Sequence, residues 1–250
     1  MIDQAEKLVP HTGPLKKRSL KTEVFDVLQG RIITGAYSPG RWLRQAEVAD
    51  ELAVSLTPVR EALDQLVAEG LAERVPYRGV RVPVFTDEEI TDAYILRLML
   101  EVPIAGAAAH NISPRQGESL LALVHQTKTL TEPGDMTRYR RLNWRIHGSI
   151  ASATGNPLLA RVHGIAMNCF PDWMLYEDLF PKPDALRASL MREYEEHLAL
   201  VQAIVDGRPE AAAQAALLHL HGVRRSIEAS LGVPEQLLKS REEQMRSLAY

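Results

Sequence analysis

Residues 54–71 read VSLTPVREALDQLVAEGL, and this stretch decides the fold of the first part of the chain. Thr57 can cap a helix, and Pro58 fits its first turn, where a missing N–H costs little. Apolar side chains then recur at three- and four-residue steps, at Val59, Leu63, Leu66 and Val67. This spacing places them on one face of a helix. Gly70 is typical of the position after a helix end, so the stretch predicts a helix that ends just before it.

The neighbouring patterns predict four more elements around this helix. They are an apolar helix at 24–33, a short amphipathic helix at 45–53 and two short β-runs at 71–75 and 80–84. A tight turn at 53–55 joins the two central helices, and a turn at 76–79 separates the β-runs. Helices joined in this way place the second one in a DNA major groove. The order therefore predicts a winged helix-turn-helix domain over residues 18–84, with the hairpin as the wing.

Three segments of this domain resemble the DNA-binding domain of the GntR family of bacterial transcription regulators. They are ITGAYSPGRWL at 33–43, VSLTPVREAL at 54–63 and AEGLAERVPYRGVRV at 68–82. The chain departs from the family pattern at Leu56, where an arginine is usual. A leucine donates no hydrogen bond but could touch a thymine methyl, so we expect an operator that differs from the family's commonest sequence. The alternative is that Leu56 packs in the core behind the turn.

Residues in the two central helices and the wing are candidates for DNA contact. From the recognition helix, Arg60 can reach a phosphate or a guanine edge. At the wing tip, Arg78 stands beside the bare backbone of Gly79, where a cation can approach a phosphate or enter a minor groove. The full candidate set is Arg44, Ser55, Thr57, Arg60, Arg78 and Gly79.

The charge of the chain limits how it can bind DNA. Its 250 residues carry a formal net charge of −3. DNA affinity must therefore come from local clusters of cations and not from the overall charge. One such cluster, Lys16, Lys17, Arg18 and Lys21, lies at the end of an expected N-terminal tail, residues 1–17. The alternative interpretation of this cluster is a solvated tail without a DNA contact.

Cysteine usage and hydropathy favour a soluble, cytoplasmic protein. Cys169 is the single cysteine, which excludes an intrachain disulfide and fits a reducing compartment. The N-terminus has no apolar core of signal-peptide length. Arg97 and Glu101 interrupt the longest apolar window, so we expect no membrane-spanning helix.

After the wing the pattern is helical, which predicts an all-α bundle over residues 85–232 and a mainly α fold class for the whole chain. Proline and glycine breaks delimit six helices, at about 87–112, 114–132, 135–154, 157–179, 184–206 and 209–231. A bundle of this size can bury its own core. We expect residues 233–250 to be a charged C-terminal tail or one last exposed helix.

This bundle resembles the effector-sensing (FCD) domain of the FadR-type branch of the GntR family. The resemblance is carried by YILRLMLEVPIAGAAAH at 94–110, NWRIHGSIASATGNPLL at 143–159 and EYEEHLALVQAIVDGRPEAAAQAALLHLHG at 193–222. It implies a domain that binds a small effector and contributes the dimer contact.

Three histidines of the bundle are spaced to share one site. His147 follows Asn143 by four residues, so both side chains leave one helical face. His197 and His219 lie on two further helices that can run antiparallel. From spacing alone, these histidines are either ligands of a divalent transition metal or histidines that hydrogen-bond within the bundle. The resemblance implies a metal, of the Zn, Ni or Mn type, although the family commonly has aspartate where this chain has Asn143.

The remaining histidines are not assigned to this site. His221 points elsewhere from its helix, and the others have no partner at a useful spacing: His110, His125 and His163. We expect all four to be structural or exposed.

Arg97 is the candidate for effector binding. It lies among apolar residues of the first bundle helix, and a buried guanidinium needs an anion. One possible partner is Glu101, four residues on, in an ordinary helix-surface pair. The resemblance implies another partner, the carboxylate of an effector near the metal.

Together these patterns predict a DNA-binding transcription regulator, in the repressor mode that is commoner in the family, that responds to a small carboxylate. We expect a homodimer on duplex DNA with an inverted-repeat operator, because two recognition helices must lie about one DNA turn apart. Two rival classes stay open, a metal-dependent enzyme acting on small organic acids and a DNA-binding protein without a ligand. No acidic residue is spaced as a general base beside His147, which argues against the enzyme.

Overall fold

The computed structural model describes residues 19–33 and 35–248, so the predicted tail and most of the cluster around Lys16 lie outside the described residues. The N-terminal unit has the predicted order of elements. Its helices are α1 (Leu20–Ile33), α2 (Gln45–Leu52) and α3 (Leu56–Ala68), and its hairpin strands are β1 (Glu73–Val75) and β2 (Gly79–Arg81). The predicted fold class, mainly α with an N-terminal winged helix-turn-helix unit, is confirmed.

Helix α3 begins two residues before the start that we predicted with Thr57 as its cap. Ser55 is the N-cap, with extended backbone angles, and Thr57 already lies inside the first turn together with Pro58. The capping role predicted for Thr57 is therefore wrong. The Ser55 side chain makes no capping hydrogen bond, so its hydroxyl is left for another partner.

The strands of the wing are shorter than the predicted β-runs at 71–75 and 80–84. Its strands pair antiparallel over three residues each, from Glu73 opposite Arg81 to Val75 opposite Gly79. The reason lies in the flanking backbone. The N–H of Leu71 bonds back to the carbonyl of Leu66 and closes the end of α3, while the N–H of Val82 bonds to the carbonyl of Arg41. Those flanking residues are therefore not available for the hairpin ladder.

The core of the N-terminal unit fixes which face of α3 is free. Its apolar stripe packs on α1 and is almost completely buried: Val59, Ala62, Leu63 and Leu66. On α1 the matching residues are Leu28 and Ile32, which are also inaccessible. Burial of this stripe stabilises the unit, since each large aliphatic side chain contributes about 1.5–3 kcal/mol. The opposite face of α3 consequently points to solvent.

The C-terminal part is a helical bundle. Its helices are α4 (Asp87–Asn111), α5 (Pro114–Thr127), α6 (Met136–Ala153), α7 (Pro157–Cys169), α8 (Pro183–Val205), α9 (Pro209–Ser226) and α10 (Glu235–Leu248). Helices α4, α5, α6, α8 and α9 pack against one another around the core. Within the described residues, no helix combines the length and the apolar character that a membrane crossing needs.

Our prediction of one helix over 157–179 is wrong. Helix α7 ends at Cys169, Phe170 is extended, and a separate 3₁₀ segment, Asp172–Leu179, follows. The cause is Pro171, because a proline disfavours the helical conformation of the residue before it and has no N–H to continue the ladder.

The described part of the last segment is a helix, as one of our two alternatives predicted, but one of its faces is buried. Helix α10 packs on α4 and buries Leu238 completely. The hydroxyl of Tyr94 on α4 donates to Glu242 at 3.0 Å, and Arg224 lies 3.4 Å from the same carboxylate. The high charge of the segment hid this partly apolar face.

Helices α6 and α7 contact the N-terminal unit. Arg141 on α6 pairs with Asp26 on α1 at 3.1 Å. The amide of Asn168 donates to the carbonyl of Ala68, at the end of α3, at 3.3 Å. Trp144 donates its indole N–H to the same Asn168 side chain, also at 3.3 Å. Hydrogen bonds through Asn168 therefore link the end of α3, the predicted recognition helix, to α7 and α6.

Gly70 should be the most sensitive position of this junction. It has φ +70°, and a Cβ there would clash with the carbonyl oxygen of Asn168. Gly155 offers a matched control, since it has φ +72° at the same position after a helix and nothing within 4 Å of a built Cβ.

We expect Gly155→Ala to lower the free energy of unfolding by about 1 kcal/mol, the usual cost of the left-handed conformation. Gly70→Ala should lower it by a further 1–3 kcal/mol or so, because the backbone must also move away from Asn168. Denaturant unfolding of both variants measures the difference. Equal losses would show that the junction is not closely packed.

Candidate functional site

The DNA-contact candidates are all accessible to solvent. Arg44, Ser55, Thr57, Arg60, Arg78 and Gly79 are all exposed. Leu56 is 55% exposed at the start of α3, so the alternative that it packs in the core is wrong. An exposed leucine at this position fits the expectation that it faces DNA.

The arginines of α3 and the wing differ in how they are paired. Arg74 forms an ion pair with Asp64, and Arg81 with Glu73. Among the described residues, Arg60 and Arg78 have no ion-pair partner. These two guanidinium groups are the ones available to phosphate or base edges.

Tyr77 at the wing tip is a residue that the sequence analysis missed. It is fully exposed and has a positive φ of 61°, which is uncommon for a residue with a side chain. Its neighbour Gly79 has φ +116°. An aromatic residue inside the predicted hairpin turn was the available indication, since an exposed ring can contact a sugar or base.

The three predicted histidines meet in the centre of the bundle. His147 on α6, His197 on α8 and His219 on α9 are all buried, and one nitrogen from each lies within 4.8 Å of the others. The Nε2 atoms of His147 and His197 are 3.2 Å apart. Two imidazole ligands at about 2.0–2.1 Å from one tetrahedral ion would be roughly 3.3 Å apart. The spacing therefore fits a shared metal ion.

Buried polar atoms without partners are concentrated at this cluster. Among the described side chains, Asn143 Oδ1, His197 Nδ1 and His219 Nε2 are inaccessible and make no hydrogen bond. A buried polar atom without a partner costs about 1–3 kcal/mol. A cation suits carbonyl oxygen and imidazole nitrogen alike, so one ion could complete Asn143 Oδ1 and His219 Nε2. It would not complete His197 Nδ1, because the other nitrogen of that ring, Nε2, is the one that faces His147.

The outer nitrogens of two histidines face carboxylates. His147 Nδ1 lies 3.0 Å from Glu101 Oε2, and His219 Nδ1 lies 3.1 Å from Glu196 Oε2. Carboxylates in this position orient an imidazole so that its other nitrogen faces a metal. Neither carboxylate was predicted, because the argument from spacing considered acidic residues near His147 along the chain and Glu101 reaches it from another helix.

Arg97 and Glu101 form a buried pair, not the helix-surface pair that we considered. Arg97 is 2% exposed, and its Nε lies 2.6 Å from Glu101 Oε1. Burial alone would raise the pKa of the Glu101 carboxyl, but Arg97 and His147 hold that pKa well below its usual range. The glutamate is therefore ionised, and it balances the charge of Arg97.

The other histidines have separate surroundings. His163 is buried 4.0 Å from Glu101, so the expectation that it lacks a partner at a useful distance is wrong. Burial lowers the pKa of His163 to about 4, although the negative charge of Glu101 acts to raise that pKa. His125 bonds to the hydroxyl of Tyr194, and His110 is exposed. Burial also lowers the pKa of His197 well below its usual value, with His219 adding to the effect.

A cavity of about 450 Å³ opens beside the histidine cluster. Arg97, Asn143 and His219 all line it, so the predicted effector residue shares this space with two of the four predicted metal ligands. Arg192 and Arg225 line it as well, and neither was predicted. A cavity of this size accommodates a small metabolite. Its lining carries both signs of charge, since four carboxylates accompany the three arginines: Asp172, Asp178, Glu193 and Glu196.

Comparison with known proteins agrees with the two-part organisation of the chain. Residues 20–82 match the family described as "Bacterial regulatory proteins, gntR family", and residues 92–222 match the FCD domain. The chain is 29% identical to the HTH-type transcriptional regulator McbR of Escherichia coli (strain K12), over 62% of this chain and 70% of McbR. It is 28% identical to a protein of Paenarthrobacter nicotinovorans named "Probable D-xylose utilization operon transcriptional repressor", over 82% of this chain and 88% of that one.

The solved structure of E. coli McbR/YncC has a similar fold. The TM-score is 0.64 at 22% identity, and the match covers 85% of this chain and 99% of that one. At this identity the likeness concerns the fold alone. With both of its parts matched, one to a DNA-binding domain and one to an effector-binding domain, the chain belongs to the GntR family of bacterial transcription regulators and carries an FCD domain.

Proposed function

We propose that the chain represses transcription as a homodimer on an inverted-repeat operator, and that a small carboxylate bound beside a metal ion sets its affinity for DNA. The observation that carries this proposal is the meeting of three buried histidines with the unpartnered Asn143 Oδ1 and His219 Nε2, next to a cavity that Arg97 lines. The relatives named above are regulators as well, which supports the first half of the proposal.

The metal would be held by Asn143, His147, His197 and His219. An ion of the Zn, Ni or Mn type accepts imidazole nitrogen and amide oxygen, and when bound it supplies positive charge to the cavity. The neutral amide of Asn143 adds no negative charge, so the bound ion would keep more of its positive charge. Arg97 would then orient the carboxylate of the effector, with its charge partly balanced by Glu101.

The DNA contacts would come from Arg44, Ser55, Thr57 and Arg60 around α3, and from Arg78 and Gly79 in the wing. Phosphate contacts from Ser55 and the unpaired arginines would fix the position of the helix, and base edges would be read from the exposed face of α3. Because Leu56 replaces a hydrogen-bonding side chain, apolar contact with a thymine methyl is part of the proposed reading.

Coupling between the two sites would run through α6. This helix carries Asn143 and His147 on its buried side, and Arg141 and Trp144 on the side that contacts the N-terminal unit. A ligand that favours one position of α6 thereby favours one position of α3. A coupling free energy of about 1–3 kcal/mol changes operator affinity roughly 5- to 150-fold.

We assign no catalytic activity to the bundle. A carboxylate can serve as the general base of a metal-dependent hydrolysis only when it is free to accept a proton. Glu101 is held by Arg97 and His147, and Glu196 lies against His219 and within 4.0 Å of Arg225. Both carboxylates are thus engaged in positioning other groups.

The metal proposal predicts the metal content of histidine variants. Wild-type protein purified without chelator should carry one equivalent of a divalent transition metal, and His219→Ala should lose nearly all of it, because an imidazole ligand is removed. His221→Ala is the matched control, only two residues away on the same helix, and should keep the metal. Elemental analysis by mass spectrometry measures this. A full complement in His219→Ala would contradict the proposed ligand set.

The DNA proposal predicts the effect of removing Arg60. With a duplex selected from a random library by the wild-type protein, Arg60→Ala should bind about 1–3 kcal/mol more weakly. Lys239→Ala removes the same charge from α10, where Lys239 pairs with Glu235, and should bind like the wild type. Fluorescence anisotropy titrations give both affinities. Equal losses in both variants would indicate that overall charge, and not a contact from α3, drives binding.

A further inference from the structure

A second cavity, which we call the α5–α7 groove, lies on the other side of α6 from the proposed effector site. It has a volume of about 520 Å³ and is bordered by residues of α5, α6 and α7, among them Arg115, Trp144, Arg145, Ser149 and His163. It shares no lining residue with the cavity beside the three histidines. A ligand here would therefore occupy a separate site.

Two cations of the groove have no counter-charge. Arg115 lies in the first turn of α5, and Arg145 lies on α6 next to Trp144. Neither has an ion-pair partner within the part of the chain that the structure describes. The positive end of the α5 dipole lies at the same rim, because Ser113 and Gln116 of its capping box also line the groove. The groove thus favours an anion with two negative charges.

Helix α7, which borders the groove together with α5 and α6, supplies a buried polar atom that lacks a hydrogen-bond partner. His163 is 1% exposed and lines the groove, and its Nδ1 makes no hydrogen bond. Its Nε2 lies on the side of the Glu101 carboxylate, at 4.0 Å. A proton on Nε2 is favoured by that negative charge, which leaves Nδ1 as a hydrogen-bond acceptor. The complementary ligand group is a hydroxyl that donates to Nδ1, and because Nδ1 is inaccessible in this conformation the His163 ring must turn toward the groove to accept it.

We propose that the α5–α7 groove binds a small hydroxy-dicarboxylate, with Arg115 and Arg145 on its acidic groups and His163 accepting from its hydroxyl. Its volume suits such a metabolite. Trp144 and Arg145 also border the cleft between α6 and the N-terminal unit, and Trp144 bonds to Asn168 there. An occupant of the groove therefore contacts the junction to the recognition helix directly.

Malate and succinate are suitable probes, because succinate differs only in lacking the hydroxyl. Isothermal titration of the full-length protein should show malate binding about tenfold more tightly than succinate, since one buried hydrogen bond distinguishes them. Arg115→Gln and Arg145→Gln should each weaken malate binding about tenfold by removing a charge-assisted hydrogen bond.

One control variant removes the same charge elsewhere. Arg161→Gln lies on the exposed side of α7 outside both cavities. It should bind malate within twofold of the wild type. If Arg115→Gln and Arg145→Gln bind malate as the wild type does, or if Arg161→Gln loses as much affinity as they do, the groove site is wrong. Equal affinity for malate and succinate would overturn the role of His163.

The malate titrations test the groove separately from the proposed operator binding and the proposed metal site. Without malate, Arg115→Gln should bind the selected duplex as the wild type does and keep its metal, because neither proposed site includes Arg115. A failed malate titration would therefore leave the proposed repressor function intact, and failed DNA binding would leave the groove intact.

Discussion

The ion pair between Glu101 and Arg97, with His147 as the third member, is the constraint on which the centre of the bundle depends. Both side chains are almost completely buried, with Nε of Arg97 2.6 Å from the carboxylate. Removing one partner of such a pair typically costs about 3–5 kcal/mol, because the other charge is left buried alone. The same carboxylate lies 3.0 Å from His147 Nδ1, so it decides which nitrogen of that ring faces the other histidines. Glu101 therefore both balances the charge of Arg97 and orients the ring of His147.

Helix α6 places that centre next to the DNA-binding unit. One of its faces holds Asn143 and His147, and another holds Arg141 and Trp144, which reach α1 and, through Asn168, the end of α3. A single rigid helix thus separates the proposed metal from the recognition helix. The α5–α7 groove lies against this helix as well, so α6 would respond to ligands on both sides.

Local patterns in the sequence predicted most of the elements and the composition of the candidate site. Periodicity found α3, and proline and glycine breaks found most helices of the bundle. Long-range partners were beyond such patterns, because Glu101 reaches His147, and Glu196 reaches His219, only after the helices pack. The apolar face of α10 was also missed, since its charged residues outnumber buried ones such as Leu238. The break before Pro171 was open to prediction from the proline alone.

The central claim is that Glu101 fixes the tautomer of His147 so that its Nε2 lone pair faces the other two histidines. Proton–nitrogen correlation spectra of histidine-labelled, metal-free protein report the tautomer of each ring directly. The account predicts a proton on Nδ1 of His147, donated to Glu101, and a bare Nε2. A proton on Nε2 of His147 would contradict it, because that nitrogen could not then bind a metal without rearrangement.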